Sequence, residues 1–402
     1  MSIKKKIFVI TALLYILYLI FPLFADTFNI PAWLPSIATI AVMVVIYPNA
    51  FANKVFYWFV VYLAVLAVYV LLGRDLTIGI GTVEDSYKMF IEIAWILPSI
   101  SICCVLFYLN DSNVNKHLVN CSLIILYVSF VVAIPLMLRY NSLREALNIE
   151  GMGMIHIAGL PGYSLMHSYT LFLPLMCYVT KILHGWKKLV SIIGMVVLCI
   201  VIYDTFVTTS LIIAIAILFI SLIYKSENTT IIWLSFGYLL LIIYTLFIFG
   251  FFISLIDWVL PIFEDTPVEP KLLDIRFSMV EKSMTGGTIE TRRELHRKSW
   301  DAFMQNPLLG KGASNVGGHS SLLDRLGGMG FFAGFPFVMI FISYIKRMVI
   351  LYETKMAKVF FWIGTIAAFI LLYQKGNWGC EAWLIYMVLM PFGMLSFEKR
   401  NK

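Results

Sequence analysis

Charge is what this sequence lacks. Asp, Glu, Lys and Arg make up 13% of its 402 residues, against roughly a quarter in soluble globular domains, and that deficit excludes an ordinary soluble enzyme. Cysteine is sparse as well. The six (Cys103, Cys104, Cys121, Cys177, Cys199, Cys380) form no CxxC pair and sit almost wholly in apolar runs. They read as small apolar residues, with no disulfide framework and no zinc site. There is no internal repeat, no heptad pattern and no low-complexity segment. No matched pair of interrupted hydrophobic segments marks two transporter-like halves. The Gly310–Gly318 stretch is not a Walker loop, because Lys311 is not followed by Ser or Thr in the required frame.

What is abundant is apolar surface: 61% of residues, with a mean hydropathy of +0.89. It comes in runs of about 18 to 24 residues, the length that crosses a hydrocarbon core of roughly 30 Å. Spans are predicted near 7–24, 31–50, 55–73, 88–109, 118–138, 163–182, 189–203, 206–224, 230–256, 329–345, 357–374 and 381–397. The run from Leu189 to Tyr224 is split at Tyr203-Asp204-Thr205, its only strongly polar break. Lys4, Lys5 and Lys6 precede the first run, and Leu23-Phe24-Ala25 is a poor cleavage site, so the run is expected to be an uncleaved span.

The net charge of +7 is explained by sidedness. With the amino terminus inside, the inner segments hold sixteen basic residues and four acids, and the outer segments hold the rest. This is the positive-inside asymmetry, and it closes with both termini cytoplasmic. Nucleic-acid binding is not needed. The expected architecture is an all-α polytopic membrane protein of about twelve transmembrane helices. Residues 1–256 form nine spans, 257–328 one large extracytoplasmic loop, and 329–402 three more spans with a cytoplasmic tail.

The loop 257–328 is the only soluble-like stretch, with ten acids, nine basic residues and two of the six histidines. It is too short for a sizeable core of its own, so it is expected to lie across the outer mouth of the bundle. Within it, Thr288 to Phe303 reads as an amphipathic helix, with Thr291 and Glu294 as a capping box. Arg293, Arg297 and Trp300 share one face, and Arg292 and His296 the adjacent one. Asn306-Pro307 stops the helix, a glycine-rich segment follows, and His319 precedes a second helix starting near Ser320.

Guanidinium groups beside glycine N–H groups suit a phosphate or diphosphate. A histidine at a helix amino terminus is held neutral and fit to act as a base. The plainer reading stands beside this one: such a basic face also binds lipid headgroups, and a histidine near a cap also serves structure. The same balance applies to Arg139 and Arg144 at the end of the fifth span, candidate second diphosphate contacts or snorkelling cations. His167 reads as structural, and Trp300 and Trp378 as residues that could stack on sugars.

Arg292-x-Glu294-Leu295, Trp300-x-x-Phe303, Asn306-Pro307-Leu308-Leu309-Gly310-x-Gly312 and Gly318-His319-Ser320-Ser321, with Leu326-Gly327-x-x-Gly330, resemble the signature of the O-antigen polymerase/ligase superfamily. The Gly-His-Ser-Ser form is most similar to Wzy-type polymerases. The resemblance covers about forty residues of a late outer loop, where that family carries it. It implies a GT-C-like membrane glycosyltransferase of the bacterial cytoplasmic membrane, metal-independent, cofactor-free and inverting. Such an enzyme acts on undecaprenyl-diphosphate-linked oligosaccharides at the outer face to build O-antigen or capsular polysaccharide, with a chain-length regulator protein as partner.

Carried over by position, Arg292 and His319 are the catalytic pair, and Arg293 and Arg297 further diphosphate ligands. One departure is Thr208-Thr209-Ser210-Leu211, where many relatives, ligases especially, have Ser-Arg. The competing readings are ligase-type transfer to a lipid or protein acceptor and, from another class, a lipid-linked oligosaccharide flippase. Against a major-facilitator transporter, Pro48 to Lys54 carries no Gly-x-x-x-Asp-Arg motif, and the long loop lies on the wrong side.

Overall fold

The computed structural model describes residues 1–21, 23–24, 30, 33–74, 77–80, 83–87, 93–139, 163–205, 207–224, 251–264, 269, 272–273, 276, 288–312, 316–318, 320–374 and 378–398. The apolar runs are helices, the conformation that satisfies every backbone N–H and C=O within its own segment when no water is near. In chain order they are α1 (Ile3–Ile20), α2 (Trp33–Ile46), α3 (Lys54–Leu71), α4 (Leu97–Leu109) and α5 (Ser112–Arg139). Next come α6 (Tyr163–Ser168) and α7 (Leu173–Ile182), joined by a 3₁₀ turn, then α8 (Gly185–Asp204), α9 (Thr208–Ile223) and α10 (Phe251–Val259). The chain continues with α11 (Thr288–Gln305), α12 (Ser321–Leu351), α13 (Lys355–Gln374), α14 (Cys380–Leu384) and α15 (Met390–Glu398).

Among the described residues, six helices are long and apolar enough to cross a membrane: α3, α5, α8, α12, α13 and the continuous stretch Cys380–Glu398. Shorter apolar helices occupy Trp33–Ile46, Leu97–Leu109, Thr209–Ile223 and Ile253–Phe263. Their outward faces carry Ile37, Val45, Ile124, Val131, Ile193, Ile212 and Leu222, all exposed. Apolar side chains presented that widely fit lipid, not water. The chain is a helical membrane protein.

The polar break at Tyr203-Asp204-Thr205 falls where α8 ends and α9 begins. Thr205 accepts the Val207 N–H on its hydroxyl and donates to the Ile202 carbonyl, which closes the turn. In the fourth run residues 93–95 are helical and α4 continues from Leu97, with Pro98 in its first turn, where the missing N–H costs nothing. The second loop helix starts at Ser321, close to where it was expected, and runs on across a kink at Gly330 into the tenth run. One expectation needs correction: the described residues include a non-helical element, an antiparallel hairpin of β1 (Thr77–Ile80) and β2 (Val83–Tyr87). Its β-branched residues, with Gly81-Thr82 between the strands, are a hairpin signal in a segment read only as a loop. Most of the ninth expected span lies outside the described residues.

Two ends of the bundle are defined by contacts. At one, Lys5 Nζ is 2.5 Å from the Asp111 carboxylate, Tyr47 packs on Tyr108, and Glu398 accepts the Glu353 and Thr354 N–H groups. At the other, Tyr69 and Arg74 beyond α3 bond to residues 309–329, and the Trp378 N–H donates to Ser321 Oγ. The hydrogen bond holds Lys5 above the usual lysine range and is the main influence lowering Asp111. Any stability from this half-buried pair is present between those two pKa values. It is lost as pH falls through that of Asp111 or rises through that of Lys5.

The core is aromatic and centres on α12. Tyr62 and Phe337 join α3 to α12 at 5.5 Å, and Phe341, Trp378, Trp383 and Tyr386 stack against one another. Between α14 and α15 the chain makes a π turn, Ile385–Leu389. A π turn interrupts the regular i→i−4 ladder. The Tyr386 carbonyl within it takes the Tyr344 hydroxyl at 2.8 Å, and the Pro391 carbonyl beyond it takes the Tyr352 hydroxyl at 2.9 Å.

Glu398 is buried and its side chain satisfies two N–H groups at the α12–α13 turn. Glu398→Ala leaves both without that partner, at about 1 kcal/mol for each hydrogen bond lost, since Glu353 and Thr354 are exposed. Glu398→Gln keeps an acceptor oxygen. Thermal melts in detergent should show a clear drop for the alanine variant and a smaller one for the glutamine variant.

Candidate active site

The site is built on a break in α12. Gly330 has φ 64° and ψ −166°, which no helix accommodates and which disfavours any side chain. An intact helix would bond the N–H groups of Phe331 and Phe332 to the carbonyls of Gly327 and Gly328. Here the segment 307–312 inserts itself into both bonds. Phe331 and Phe332 donate instead to Pro307 (2.8 Å) and Leu308 (3.1 Å), while Gly327 and Gly328 accept from Lys311 (2.9 Å) and Gly312 (2.8 Å). Two helical bonds become four inter-segment bonds.

The approach is backbone on backbone. A Cβ on Gly330 would lie 2.4 Å from the Leu308 carbonyl oxygen, and one on Gly310 would lie 2.5 Å from the backbone of residues 328–330. Tyr69 OH takes the Met329 carbonyl at 2.8 Å, and Arg74 Nη1 takes that of Leu309 at 2.7 Å. The glycine N–H groups expected to be open to an anion are therefore occupied at this point. Gly310 donates to Asn306, and Lys311 and Gly312 donate to α12. Gly310, Gly312 and Gly330 serve the junction, not a phosphate cradle.

Beyond the junction, the buried Asp324 fastens the second half of the loop. Its Oδ1 accepts from Ser299 Oγ (2.5 Å) and the Gly317 N–H (3.2 Å), and its Oδ2 from the Ser320 N–H (3.1 Å). Ser320 caps α12, its hydroxyl accepting the Leu323 N–H at 3.1 Å. Gly317 and Gly327 both lie against α11: a Cβ on the first would meet Leu295 O at 2.3 Å, and on the second Ser299 O at 2.3 Å. One carboxylate thus holds the residues on both sides of His319 and ties them to α11. His319 itself lies outside the described residues.

The helix α11 starts at Thr288, as expected, so Thr291 and Glu294 are interior positions and not a capping box. Its packed face carries Arg292, Leu295, His296, Ser299, Ala302 and Phe303, the spacing of one helical stripe. This separates the three candidate arginines. Arg292 is half-buried, two turns before Ser299 on the same face; Arg293 is exposed; Arg297 is 81% exposed and pairs with Asp301 at 3.6 Å.

His296 stacks on Tyr373 with ring centroids 5.1 Å apart. Its buried Nε2 has no hydrogen-bond partner among the described residues. Arg325, also missed by sequence reasoning, is buried: it donates to the Ser321 carbonyl at 2.8 Å, and its guanidinium lies 4.4 Å from the Phe337 ring centroid.

The other expected residues divide. Arg139 is exposed at the end of α5, a helix packed on α1 and α15, and Arg144 lies outside the described residues. His167 is buried, with Nδ1 3.1 Å from Ser210 Oγ, in line with a structural role. Trp378 is buried in the aromatic core and offers no face to a sugar, whereas Trp300 is exposed. Ser299 and Asp324 were not singled out. Their signal was the Ser-x-x-x-Asp pattern at the start of α12, with a serine on the packed stripe of α11.

Asp324→Asn removes an acceptor from a three-bond site, at about 1–3 kcal/mol. Hydrogen exchange at residues 316–320 should quicken about tenfold, while Arg297→Ala leaves it unchanged. Gly330→Ala should loosen 307–312 as well, since its Cβ has no room.

Residues 193–324 match the family model Wzy_C, described as O-Antigen ligase. No curated protein matches the chain. The matched segment runs from within α8, through α11 and the loop, to Asp324 itself. Over this segment, about a third of the chain, the protein is similar to the O-antigen polymerase/ligase superfamily.

Proposed function

We propose that this protein transfers an oligosaccharide from undecaprenyl diphosphate to a lipid-linked repeat unit. It would thereby polymerise O-antigen or capsular polysaccharide at the outer face of the bacterial cytoplasmic membrane. The observation that carries the reading is the Asp324 carboxylate. It ties Gly317 and Ser320, the sequence neighbourhood of His319, to the helix that bears Arg292, which supports a shared role for the two residues with the required chemistry. The topology that goes with it has about twelve spans, both termini cytoplasmic and residues 257–328 outside, in line with the positive-inside charge pattern.

In this mechanism the acceptor hydroxyl attacks the anomeric carbon from the face opposite the diphosphate. The new glycosidic bond forms as the carbon–oxygen bond to diphosphate breaks. His319 takes the hydroxyl proton, and Arg292 neutralises the departing diphosphate. Half-burial strengthens Arg292 for this task, because a partly desolvated guanidinium interacts with an anion more strongly than an exposed one. Arg293 and Arg297, both exposed, assist the approach of the anionic lipid, and Arg139 and Arg144 are secondary contacts. A chain-length regulator is the expected protein partner.

A second reading has a specific observation in its favour: the matched family model is described as O-antigen ligase. The chemistry at the donor is then the same, and only the acceptor differs, a core lipid or a protein. The Gly-His-Ser-Ser form and the absence of arginine after Ser210 favour the polymerase.

The test is transfer by the purified protein in nanodiscs with undecaprenyl-diphosphate-linked repeats and no added metal. Wild type should give a product ladder. His319→Ala and Arg292→Ala should lose it by about a hundredfold or more. Arg292→Lys should be impaired too, lacking the planar fork, and Arg297→Ala should stay within a few-fold. Transfer seen only after adding a core-lipid or protein acceptor would make the ligase reading correct. Movement of lipid-linked sugar across the bilayer without any transfer would overturn both.

A further inference from the structure

At the end of the bundle away from Asp324, a cavity of about 760 Å³ opens between α3, α4 and α12. Its mouth carries Lys54, Lys346 and Arg347, and its depth is lined by Trp58, Phe107 and Met339. The lining positions recur at helical spacing on all three helices: 54 and 58 on α3, 104, 107 and 108 on α4, and 339, 342, 343, 346 and 350 on α12. This is a groove running along the helices, not a dimple in a loop. Its volume falls in the range of small-molecule sites.

The three cations are exposed, and among the described residues none forms an ion pair with a carboxylate. Nearby Lys5, by contrast, has its own partner in Asp111. Arg347 is held at the groove wall by the Phe107 ring, 5.9 Å from its guanidinium carbon. Asn49 adds an amide group to the same mouth, whereas Asn53 is committed to structure, its Oδ1 capping α3 and its Nδ2 donating to the Ala50 carbonyl.

We propose that this groove binds an anionic phospholipid, with its phosphate at Lys54, Lys346 and Arg347 and the upper part of an acyl chain along Trp58 and Met339. The charge complementarity selects a phosphate-bearing ligand, and the apolar depth selects one that carries a chain. A soluble phosphate would use only the mouth. The exposed apolar faces at Tyr57, Val60 and Ile350 continue the path outward, so the rest of the lipid remains in the bilayer. The groove abuts α12, whose far end carries the Gly330 break. Its occupant therefore buttresses the helix on which the candidate active site is built.

The test uses the full-length protein delipidated in detergent, titrated with phosphatidylglycerol, phosphatidylcholine or glycerol 3-phosphate. Bound lipid is counted by native mass spectrometry, and stability is read by thermal melting. Phosphatidylglycerol should bind and raise the melting midpoint, and the other two should do neither. Lys346→Ala with Arg347→Ala should weaken binding on the order of 30-fold, at the usual contribution of a basic residue near an anionic membrane surface. Ser343→Phe, which fills the groove without changing charge, should weaken it comparably.

Lys355→Ala, an exposed cation at the same end but outside the groove, should stay within about twofold of wild type; an equal loss there would reduce the effect to general surface attraction and overturn the proposal. Equal binding of phosphatidylcholine, or full competition by glycerol 3-phosphate, would also overturn it. Should Ser343→Phe fail to fold, Lys54→Gln replaces it and should weaken binding several-fold.

Discussion

Everything at the candidate site depends on the exchange of hydrogen bonds at Gly330. A helix end placed against hydrocarbon exposes carbonyls and N–H groups that water cannot satisfy, and each one left open costs several kcal/mol in order of magnitude. α12 opens its ladder at Gly330, and residues 307–312 complete it. Segment and helix thereby become one backbone-bonded unit, independent of side-chain identity except where a side chain cannot fit. The glycines at 310 and 330 follow from that contact. So does the location of the loop, which cannot swing as a free arm while Lys311 and Gly312 hold the helix carbonyls.

On this foundation a single carboxylate arranges the rest. Asp324 lies one turn into α12, and its two oxygens reach Gly317, Ser320 and Ser299. A buried carboxylate that accepts three hydrogen bonds is directional in its hold. The loop is consequently braced at both ends, by backbone bonds at 307–312 and by charge-assisted bonds at 317–320. A site that must place a base and a cation on the same reacting atoms gains from such bracing, since small displacements of catalytic groups are costly.

The helical, membrane-spanning character was legible in the sequence because hydropathy is a long-range signal, averaged over many residues. The eighth and ninth helices meet where Asp204 interrupts their apolar run, and the cysteines proved to be free thiols, buried or half-buried. What sequence reasoning misread was local. The glycines of 310–312 were credited with open N–H groups, but sequence does not reveal which acceptors a distant break in another helix has freed. Trp378 was given a sugar-facing role on its position at a span end, whereas the stacking of Phe341 and Trp383 draws it inward. Asp324 was counted only as a loop acid, because its partners Ser299 and Gly317 are adjacent in space and not in sequence.

The ambiguity among the arginines resolves by geometry of the same kind. Three guanidinium groups within six residues look alike in sequence, and all could meet an anion. On the helix they are separated by roughly 100° per residue. Only Arg292 falls on the stripe that continues through His296 and Ser299 to the Asp324 brace, while Arg297 spends its charge on Asp301, one turn away in solvent. An exposed pair of that sort contributes little and is easily exchanged. A half-buried cation on a braced face has a defined position and a stronger field, which is why the proposed mechanism sets Arg292, and not Arg297, at the departing diphosphate.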